Sequence, residues 1–406
     1  MSVTAVRRCN RMKVLLLHNS YQQRGGEDAV VKAEATLLRE AGVSLDVDLV
    51  SNHQIQSVGD KLRAGLGVVA NRDQAERVRR LVADRGYDVV HIHNFFPLLS
   101  PAVHEAAHEA GAAVVQTLHN FRLVCAGALL LRNGAVCEKC LGGSSAWGVV
   151  HGCYRNSRIQ SLAVAAMIET SRRGGVWKER VNRFIALTEF GRQKFIDAGL
   201  TADKIAVKPN FKVRHEHAVK AVPLRSGALF VGRLSAEKGV DVLLDAWKRL
   251  PDIPLTIIGD GPARGSLQKS ALPNVSFLGA AEPAQVQTEM KRAALLVMPS
   301  VCYETFGMTI IEAYSAGLPV LASDLGAMAE IVEPRRTGWL FAPGDADELA
   351  RTARSLFNDP ARLEQAGSNA LLNYERNYTP EINLRQLLDI YEKATEDRRL
   401  QAACPD

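Results

Sequence analysis

The sequence predicts an α/β protein made of two doubly wound, Rossmann-like domains. Three observations carry that expectation. The chain has 406 residues, more than one ordinary core supports. Short apolar runs alternate with helix-period segments along its whole length. The alternation is broken once, after Asn210, by the polar and basic stretch KVRHEHAVKAVPLRSG, and then restarts. The expected division is therefore 1–210 and 211–380, with 381–406 a last helix long enough to cross back to the first domain. Open parallel sheets take ligands at the carboxyl ends of their strands, so a cleft between the two sheets is the expected site.

The elements follow in order. KVLLLHN (13–19) reads as a buried strand, and GGEDAVVKAEATLLREAG (25–42) as an amphipathic helix closed by Gly42. VSLDVDLV, YDVVHIHN, AAVVQTLHN, RFIALTEF and KIAVKPNF supply further strands of the first domain. ALFVGRL, LTIIGDG, VSFLGA and ALLVMPS are strands of the second, with helices in the gaps. GLPVLASDLGAMAEIV is a strand, a turn and a helix start. The run from Asp345 to Tyr374 is helical with a break near Pro360, and residues 380 to 397 form the last helix.

Composition excludes several classes. With 47% hydrophobic and 23% charged residues, the chain reads as a soluble globular protein. No apolar run reaches the roughly 18 to 20 residues a membrane span needs. The opening MSVTAVRRCNRM lacks the apolar core of a secretory signal and reads as a short disordered lead, with Met12 a candidate start. A cytoplasmic location follows as the expectation. Residues 1–210 carry 28 Lys+Arg against 19 Asp+Glu, while the remainder carries 22 against 25. A basic first half suits an anionic partner, a phospholipid surface or a phosphate-bearing acceptor. No nucleic-acid motif accompanies the charge.

Two stretches carry chemistry. In FVGRLSAEKGVDVLLDAW (230–247), Arg233 and Lys238 lie between a strand and a helix, where cations and helix-start amides suit a diphosphate. Two solvated surface cations are the plainer alternative. In YETFGMTIIEAYSAGLPV (303–320), a helix starts near Gly307, Glu304 precedes it and Glu312 lies one to two turns inside. Carboxylates accept from two hydroxyls at once, which fits Glu304 to a sugar and Glu312 to a ribose diol. A charge at a helix start and a solvated face would explain the same residues. The segment is otherwise nearly uncharged, which favours a site.

These stretches, together with LTIIGDGPARGSLQ, VSFLGA and GWLFAPGDADELA, resemble the second domain of glycosyltransferase family 4, the glycosyl transferases group 1 of GT-B fold. The resemblance covers nearly all of 225–355. The first half resembles the family less closely, through HNSYQQRGGEDAVV, VVHIHN, VVQTLHNF, RFIALTEFGRQKFIDAGL and KIAVKPNF. The resemblance implies a retaining enzyme that takes a nucleotide-sugar donor, UDP- or GDP-linked, and a glycan or lipid-linked acceptor. It implies that Arg233 and Lys238 neutralise the leaving diphosphate and Glu312 holds the ribose. Glu304 would contact the donor sugar, flanked by backbone amides near Phe306, Gly307 and Met308. His119 would line the cleft at the donor's reacting end, and Gly25 and Gly26 would form the loop beneath phosphates and acceptor. Many members have an acidic residue where this chain has Asn120, which leaves a proton-transfer role there unsupported. No DxD-like metal motif is evident, so no cofactor is expected for catalysis.

Cys125, Cys137, Cys140 and Cys153 cluster in an insertion at about 122–155 that is Gly-rich and poor in core-forming residues. Four thiolates at such spacing suit a tetrahedral structural zinc; disulfides or unligated thiols are the alternatives. His91 and His93 alternate with Ile92, which puts two imidazoles on one strand face, either as packing at the cleft edge or as metal ligands. RIQSLAVAAMIETSRRGGVWKERVNR (158–183) sets Trp177 among Arg172, Arg173, Lys178, Arg180 and Arg183. Such a stretch fits a membrane interface or an ordinary core helix. With Lys61, Arg63, Arg77, Arg79 and Arg80, it would make the first half peripheral at an anionic leaflet. A nucleotide-sugar epimerase or phosphorylase of related fold and a non-catalytic nucleotide-sugar scaffold stay open. A dinucleotide oxidoreductase is weaker, because HNSYQQRGGEDAVV lacks G-x-G-x-x-G spacing.

Overall fold

The structure is a computed structural model that describes residues 12–20, 25–54, 57–214, 225–270 and 272–403. The expected lead before Met12, part of the Gly25–Gly26 approach (21–24) and most of the expected linker (215–224) lie outside the described residues. The chain forms two units. The first comprises Met1–Leu130, Cys137–Pro209 and Asn383–Asp406, and the second Leu131–Val136 and Asn210–Ile382.

The first unit is built on strands β1 (Lys13–Ser20), β2 (Ser44–Ser51), β3 (Val89–Asn94) and β4 (Ala113–Thr117). A two-residue-per-strand hairpin, β5 (Leu131–Arg132) and β6 (Ala135–Val136), interrupts the series before β7 (Arg183–Ala186) and β8 (Ile205–Val207). The sheet order is β2-β1-β3-β4-β7-β8, and every pairing is parallel. Strands covered on both faces cannot leave polar groups to water, so they read as near-continuous apolar runs. β3 obeys this in burial: all six of its residues are buried, His91 and His93 included. The last helix, Pro380–Ala403, sets Leu387, Leu388, Ile390, Tyr391 and Ala394 against Val14, Leu38, Val89, Val115 and Ile185. Its inner face is therefore part of the first unit's core.

The second unit holds β9 (Ala228–Val231), β10 (Leu255–Ile258), β11 (Val275–Gly279), β12 (Leu295–Met298), β13 (Val320–Ser323) and β14 (Gly338–Phe341). Its order is β11-β10-β9-β12-β13-β14, again parallel throughout. The order reverses between β9 and β12, so the loops after these two strands flank the switch point where open sheets bind ligands. Trp247 anchors the core beneath, fully buried, with its indole N–H donating to Ile253 O at 3.0 Å.

Of the two readings of the stretch around Trp177, the core one holds for the tryptophan, which is buried. Gly174 and Gly175 end the preceding helix, and Val176–Arg180 forms a single π-helical turn. That turn aims Trp177 inward, where its ring lies 5.7 Å from Phe95 and 5.1 Å from His104. Several of the cations are engaged within the fold: Arg77 with Asp48, Arg79 with Glu76 and Glu109, Arg80 with Glu76, Arg172 with Glu169, and Arg183 with Asp397.

Candidate functional site

In the second unit, the chain leaves β9 at Gly232, passes the exposed Arg233, makes one 3-10 turn at Ala236–Lys238 and enters the helix Val240–Trp247. Gly239 joins turn to helix at φ 64°, and a Cβ there would fall 2.0 Å from Pro299 O. Only glycine permits that approach, which brings the loop after β9 against the loop after β12. Val301 N–H donates to Glu237 O at 3.0 Å and joins the two loops. Lys238 Nζ then meets Glu304 Oε1 at 2.5 Å, and Ser300 Oγ donates to the same oxygen at 2.9 Å.

The pair is partly sheltered, with the Lys238 side chain 25% and the Glu304 side chain 15% exposed. Burial by itself would raise the Glu304 pKa. The Lys238 ammonium and the hydrogen bonds from Lys238 and Ser300 outweigh it and hold the carboxyl below its usual range. Lys238 is raised, because Glu304 outweighs the burial that would lower it. Cys302, buried beside them, keeps a neutral thiol: desolvation, then the Glu304 charge, pushes it up to about 12.

Gly307, at φ 96°, opens the helix Met308–Ser315, and its carbonyl accepts from Ile310 N–H at 2.9 Å. Phe306 points into the core, 3% exposed and 6.1 Å from the Tyr378 ring, so only its backbone is offered to a ligand. Glu312 lies on the same helix and receives Lys212 Nζ at 2.8 Å. Lys212 is itself held: its N–H donates to Tyr378 O at 3.1 Å, and Tyr374 Oη donates to its carbonyl at 2.7 Å. Each of the two carboxylates in the 303–320 stretch thus faces a lysine. Lys212 and Ser300 were not singled out in the sequence. Lys212 lies 100 residues before its partner, and no local spacing signals it.

In the first unit, Gly25 caps the helix Gly26–Glu40, with its N–H donating to Asp28 Oδ2 at 2.8 Å. Asp28 also meets His18 Nε2, on β1, at 2.9 Å. Asn120 donates through Nδ2 to Glu27 Oε1 at 2.9 Å, so the amide that replaces the family's acidic residue serves as a donor to the helix start. His119 follows β4 and is 8% exposed; burial first, then neighbouring His93, drives its pKa well down, so it is neutral. His93 Nδ1 lies 2.9 Å from His119 Nε2, and the rings stack at 5.2 Å.

Below them the polar chain continues. Glu34 Oε1 stands 3.2 Å from His93 Nε2 and 3.4 Å from His91 Nδ1, and Glu34 Oε2 takes Lys208 Nζ at 2.9 Å. Lys208 also donates to Asn383 Oδ1 at 3.2 Å, and His91 bonds Tyr391 Oη and Thr117 Oγ1, each at 2.8 Å. His91 and His93 do share one face, 4.2 Å apart, but they are buried in this network and do not pack at an edge. Glu34, His91 and His93 bring three ligand atoms within 4.8 Å of one another. The Lys208 ammonium already balances the carboxylate there, so the set suits a hydrogen-bonded ion pair better than a divalent cation.

The four cysteines of the insertion are thiols. A Cβ on Gly127 would lie 3.9 Å from Cys125 Sγ and 3.8 Å from Cys153 Cβ, so these two flank one glycine. Cys140 is pushed up to about 11 by burial first, with the charges of Cys125, Cys153 and Cys137 adding to it. The sulfurs share a neighbourhood but stand wider than a closed metal–thiolate shell. Among the described residues only the Glu34 group meets the 4.8 Å separation.

Comparison with known proteins follows the same division. A family model described as Glycosyl transferase 4-like domain matches residues 22–210, and one described as Glycosyl transferases group 1 matches 225–359. The alpha-D-kanosaminyltransferase of Streptomyces kanamyceticus is 26% identical over 344 residues, 81% of each chain. The sulfoquinovosyl transferase SQD2 of Arabidopsis thaliana is 33% identical over 153 residues, 36% of this chain but only 30% of that relative's length. Among solved structures, Anabaena HepE in complex with UDP and glucose matches with TM-score 0.66 and 20% identity, covering 94% of this chain and 99% of that one. Both halves are matched in order, and each is built on a parallel doubly wound sheet: the chain belongs to the group 1 glycosyl transferases and is a glycosyltransferase of GT-B fold.

Proposed function

We propose that the enzyme moves a hexose from a nucleoside diphosphate to an acceptor hydroxyl, with retention, in the assembly of a cell-surface polysaccharide or glycolipid. The observation that carries this reading is the Lys238–Glu304–Ser300 cluster at the point where the strand order reverses. Breaking a sugar–phosphate bond leaves charge on the diphosphate, which Lys238, Arg233 and the amides after Gly307 neutralise. Glu304 and Glu312 accept from sugar and ribose hydroxyls. His119, with Gly25 and Gly26, serves the first unit's part of the reaction. The solved relative in complex with UDP and glucose supports a UDP-linked donor over a GDP-linked one.

The test is a melting-temperature panel of UDP-, GDP- and ADP-sugars without divalent metal, since a ligand of the folded state raises the transition. One cognate donor is expected to raise it, and Glu312→Ala to abolish the shift. No shift with any donor would sink the reading. An epimerase or phosphorylase would instead turn over the cognate donor with no sugar or lipid acceptor.

A lipid-linked acceptor would require a membrane-facing surface, and we place it on the insertion, away from Trp177. Trp147, Val150, Ile159 and Leu162 are exposed by 46, 53, 83 and 57% on the helices Ala146–Val150 and Arg158–Arg173. Ser145 Oγ donates to Ala165 O and ties these helices together. Residues 139–168 include Lys139, Arg155 and Arg158 and no carboxylate, which suits anionic headgroups. No helix among the described residues is long and apolar enough to cross a membrane, so docking would be peripheral. Sedimentation with phosphatidylglycerol-containing vesicles is the check. Ile159→Ser/Leu162→Ser should weaken partitioning about 10-fold or more, and equal binding by the variant would exclude this face.

We also propose a structural zinc for Cys125, Cys137, Cys140 and Cys153, drawn into a closed shell on binding. One zinc per chain in protein purified without added metal, lost in Cys137→Ser/Cys140→Ser, is the expected analysis. A metal-free wild type with the same melting temperature would reject it.

A further inference from the structure

We propose that His108, Arg180, Lys204 and Arg398 form a second anion site, fitted to a phosphate group, at the amino ends of β4, β7 and β8. It is independent of the donor reading. The loops that carry His119 and Gly25 leave the other, carboxyl ends of this sheet.

The four residues come from four segments. His108 lies in the last turn of the helix Ala102–Glu109, which leads into β4. Arg180 ends the π-helical turn Val176–Arg180 before β7, and Lys204 ends the 3-10 turn Ala202–Lys204 before β8. These three strands are neighbours in the sheet, so the segments that lead into them stand side by side. The helix meets the π-helical turn through His104 and Trp177, whose rings lie 5.1 Å apart, and His108 is one turn beyond His104. Lys204 Nζ donates to Lys178 O at 2.6 Å and to Val181 O at 3.0 Å, which ties the ammonium to the residues on either side of Arg180. Arg398 arrives from the last helix, and its Nη2 donates to His108 O at 3.1 Å.

Among the described residues, Arg180, Lys204 and Arg398 are each half-buried and in no ion pair. Nearby carboxylates are engaged elsewhere or exposed. Asp397 takes Arg183 Nη2 at 3.0 Å, and Glu109 takes Arg79. The Glu179 carboxylate folds onto Gly175, where a Cβ would fall 2.6 Å from its Oε1, and Asp203 is exposed. His108 is 8% exposed, and its Nδ1 is buried without a hydrogen-bond partner. Arg180 Nε and Arg398 Nε are buried and unpartnered as well. Buried polar nitrogens are rarely left unpaired, and a bound ion is one way of satisfying them.

The charges point the same way. Burial first, then Arg398, Arg180 and Lys204, pushes the His108 pKa down to about 4. Burial also lowers Lys204, outweighing Asp397 and Asp203. An anion held among these groups reverses both effects: it offsets the three like charges and favours a protonated His108 that donates to it. A single carboxylate offsets only one of the three. A phosphate group carries about two charges and three acceptor oxygens, and it matches guanidinium forks. Inorganic phosphate and a phospholipid headgroup present the same chemistry.

Histidine ring spectra of the whole chain read the site directly, with His108→Gln assigning the signal. At about pH 6.5, the midpoint of an ordinary histidine, His108 is expected to be neutral without phosphate. Inorganic phosphate, titrated at constant ionic strength, should charge it saturably. Arg180→Gln/Arg398→Gln should weaken that response about 10-fold or more, since it removes two charge-assisted donors. A second arm uses phosphatidic acid vesicles, with phosphatidylcholine vesicles as the control. A response to inorganic phosphate supports a soluble ligand. A response to phosphatidic acid vesicles alone, lost in the double variant but kept in Ile159→Ser/Leu162→Ser, supports a headgroup. A wild-type His108 unmoved by either probe overturns the site, and so does a double variant that responds as wild type does. The wild-type spectrum decides even if the double variant folds poorly. None of these outcomes bears on Lys238 or Glu304, so the donor reading stands or falls separately.

Discussion

Lys238→Met lowers turnover of the cognate nucleotide-sugar by about 10²- to 10³-fold, with a smaller change in donor KM. The size follows from where the ammonium stands. It lies in a sheltered position after β9, fixed by a 2.5 Å contact to Glu304, and it needs no rearrangement of solvent to meet developing phosphate charge. Interactions that strengthen only as charge develops appear in kcat, and those felt equally by bound substrate appear in KM. Glu304→Gln separates two explanations. If Glu304 merely positions Lys238, the amide should lose little, because Ser300 still orients the side chain. If it reads the sugar, the loss should depend on which sugar is offered. Lys238→Arg should recover part of the rate, since the charge is restored on a planar group of different reach. Lys238→Met with turnover within about threefold of wild type would remove the diphosphate role from this residue.

The fold was legible where periodicity is local. KVLLLHN became β1 and YDVVHIHN contained β3, because buried parallel strands announce themselves as apolar runs; VSLDVDLV became β2, an edge strand with only Val50 buried. The helix break near Pro360 appeared as predicted, with one helix ending at Phe357 and the next starting at Pro360. Gly307 marked its helix start by the left-handed conformation that glycine tolerates. The partners of Glu304 and Glu312 were less legible. Lys238 had been singled out for the diphosphate, but Lys212 had not, because its place depends on Tyr374 and Tyr378 more than 160 residues on.

Trp177 was readable in two ways for a related reason. Tryptophan among arginines reads as an interfacial stretch, and composition carries no record of the π-helical turn that points the ring inward. The apolar residues that do face solvent, Ile159 and Leu162, sit three apart at the start of a helix whose next turns are core. In sequence they look like more of the same core face. Glu34 was hidden in the same way. An amphipathic helix of fifteen residues with six charges ordinarily shows its carboxylates to water, and only the tertiary fold brings Lys208 to this one.

Lys208→Met should destabilise the first unit by about 3 to 5 kcal/mol, the largest stability effect expected of any single substitution in the chain. Glu34 and Lys208 are each 1% exposed, and 174 residues separate them. Removing the ammonium leaves a carboxylate in the core beside His91, whose pKa is driven well down by burial. The anion would then have to take up a proton, and the bonds that order His93 and His119 would loosen together. A drop on the order of 10 °C in the melting temperature is the corresponding observation. The sign with pH can be stated. Glu34 has its pKa well below the unfolded value, because Lys208, then His93, outweigh the burial that would raise it. Its contribution is therefore present above the unfolded carboxyl pKa, about 4.3, and is lost as pH falls below that value. In Lys208→Met the carboxyl is expected to be protonated at higher pH, so the variant's deficit should shrink on mild acidification. Glu34→Leu/Lys208→Met should recover most of the lost stability, since an apolar pair of similar volume avoids both desolvation costs. A single variant that melts within about 2 °C of wild type would mean that Glu34 finds another counter-charge, and the pair would then not be what holds the histidine chain in place.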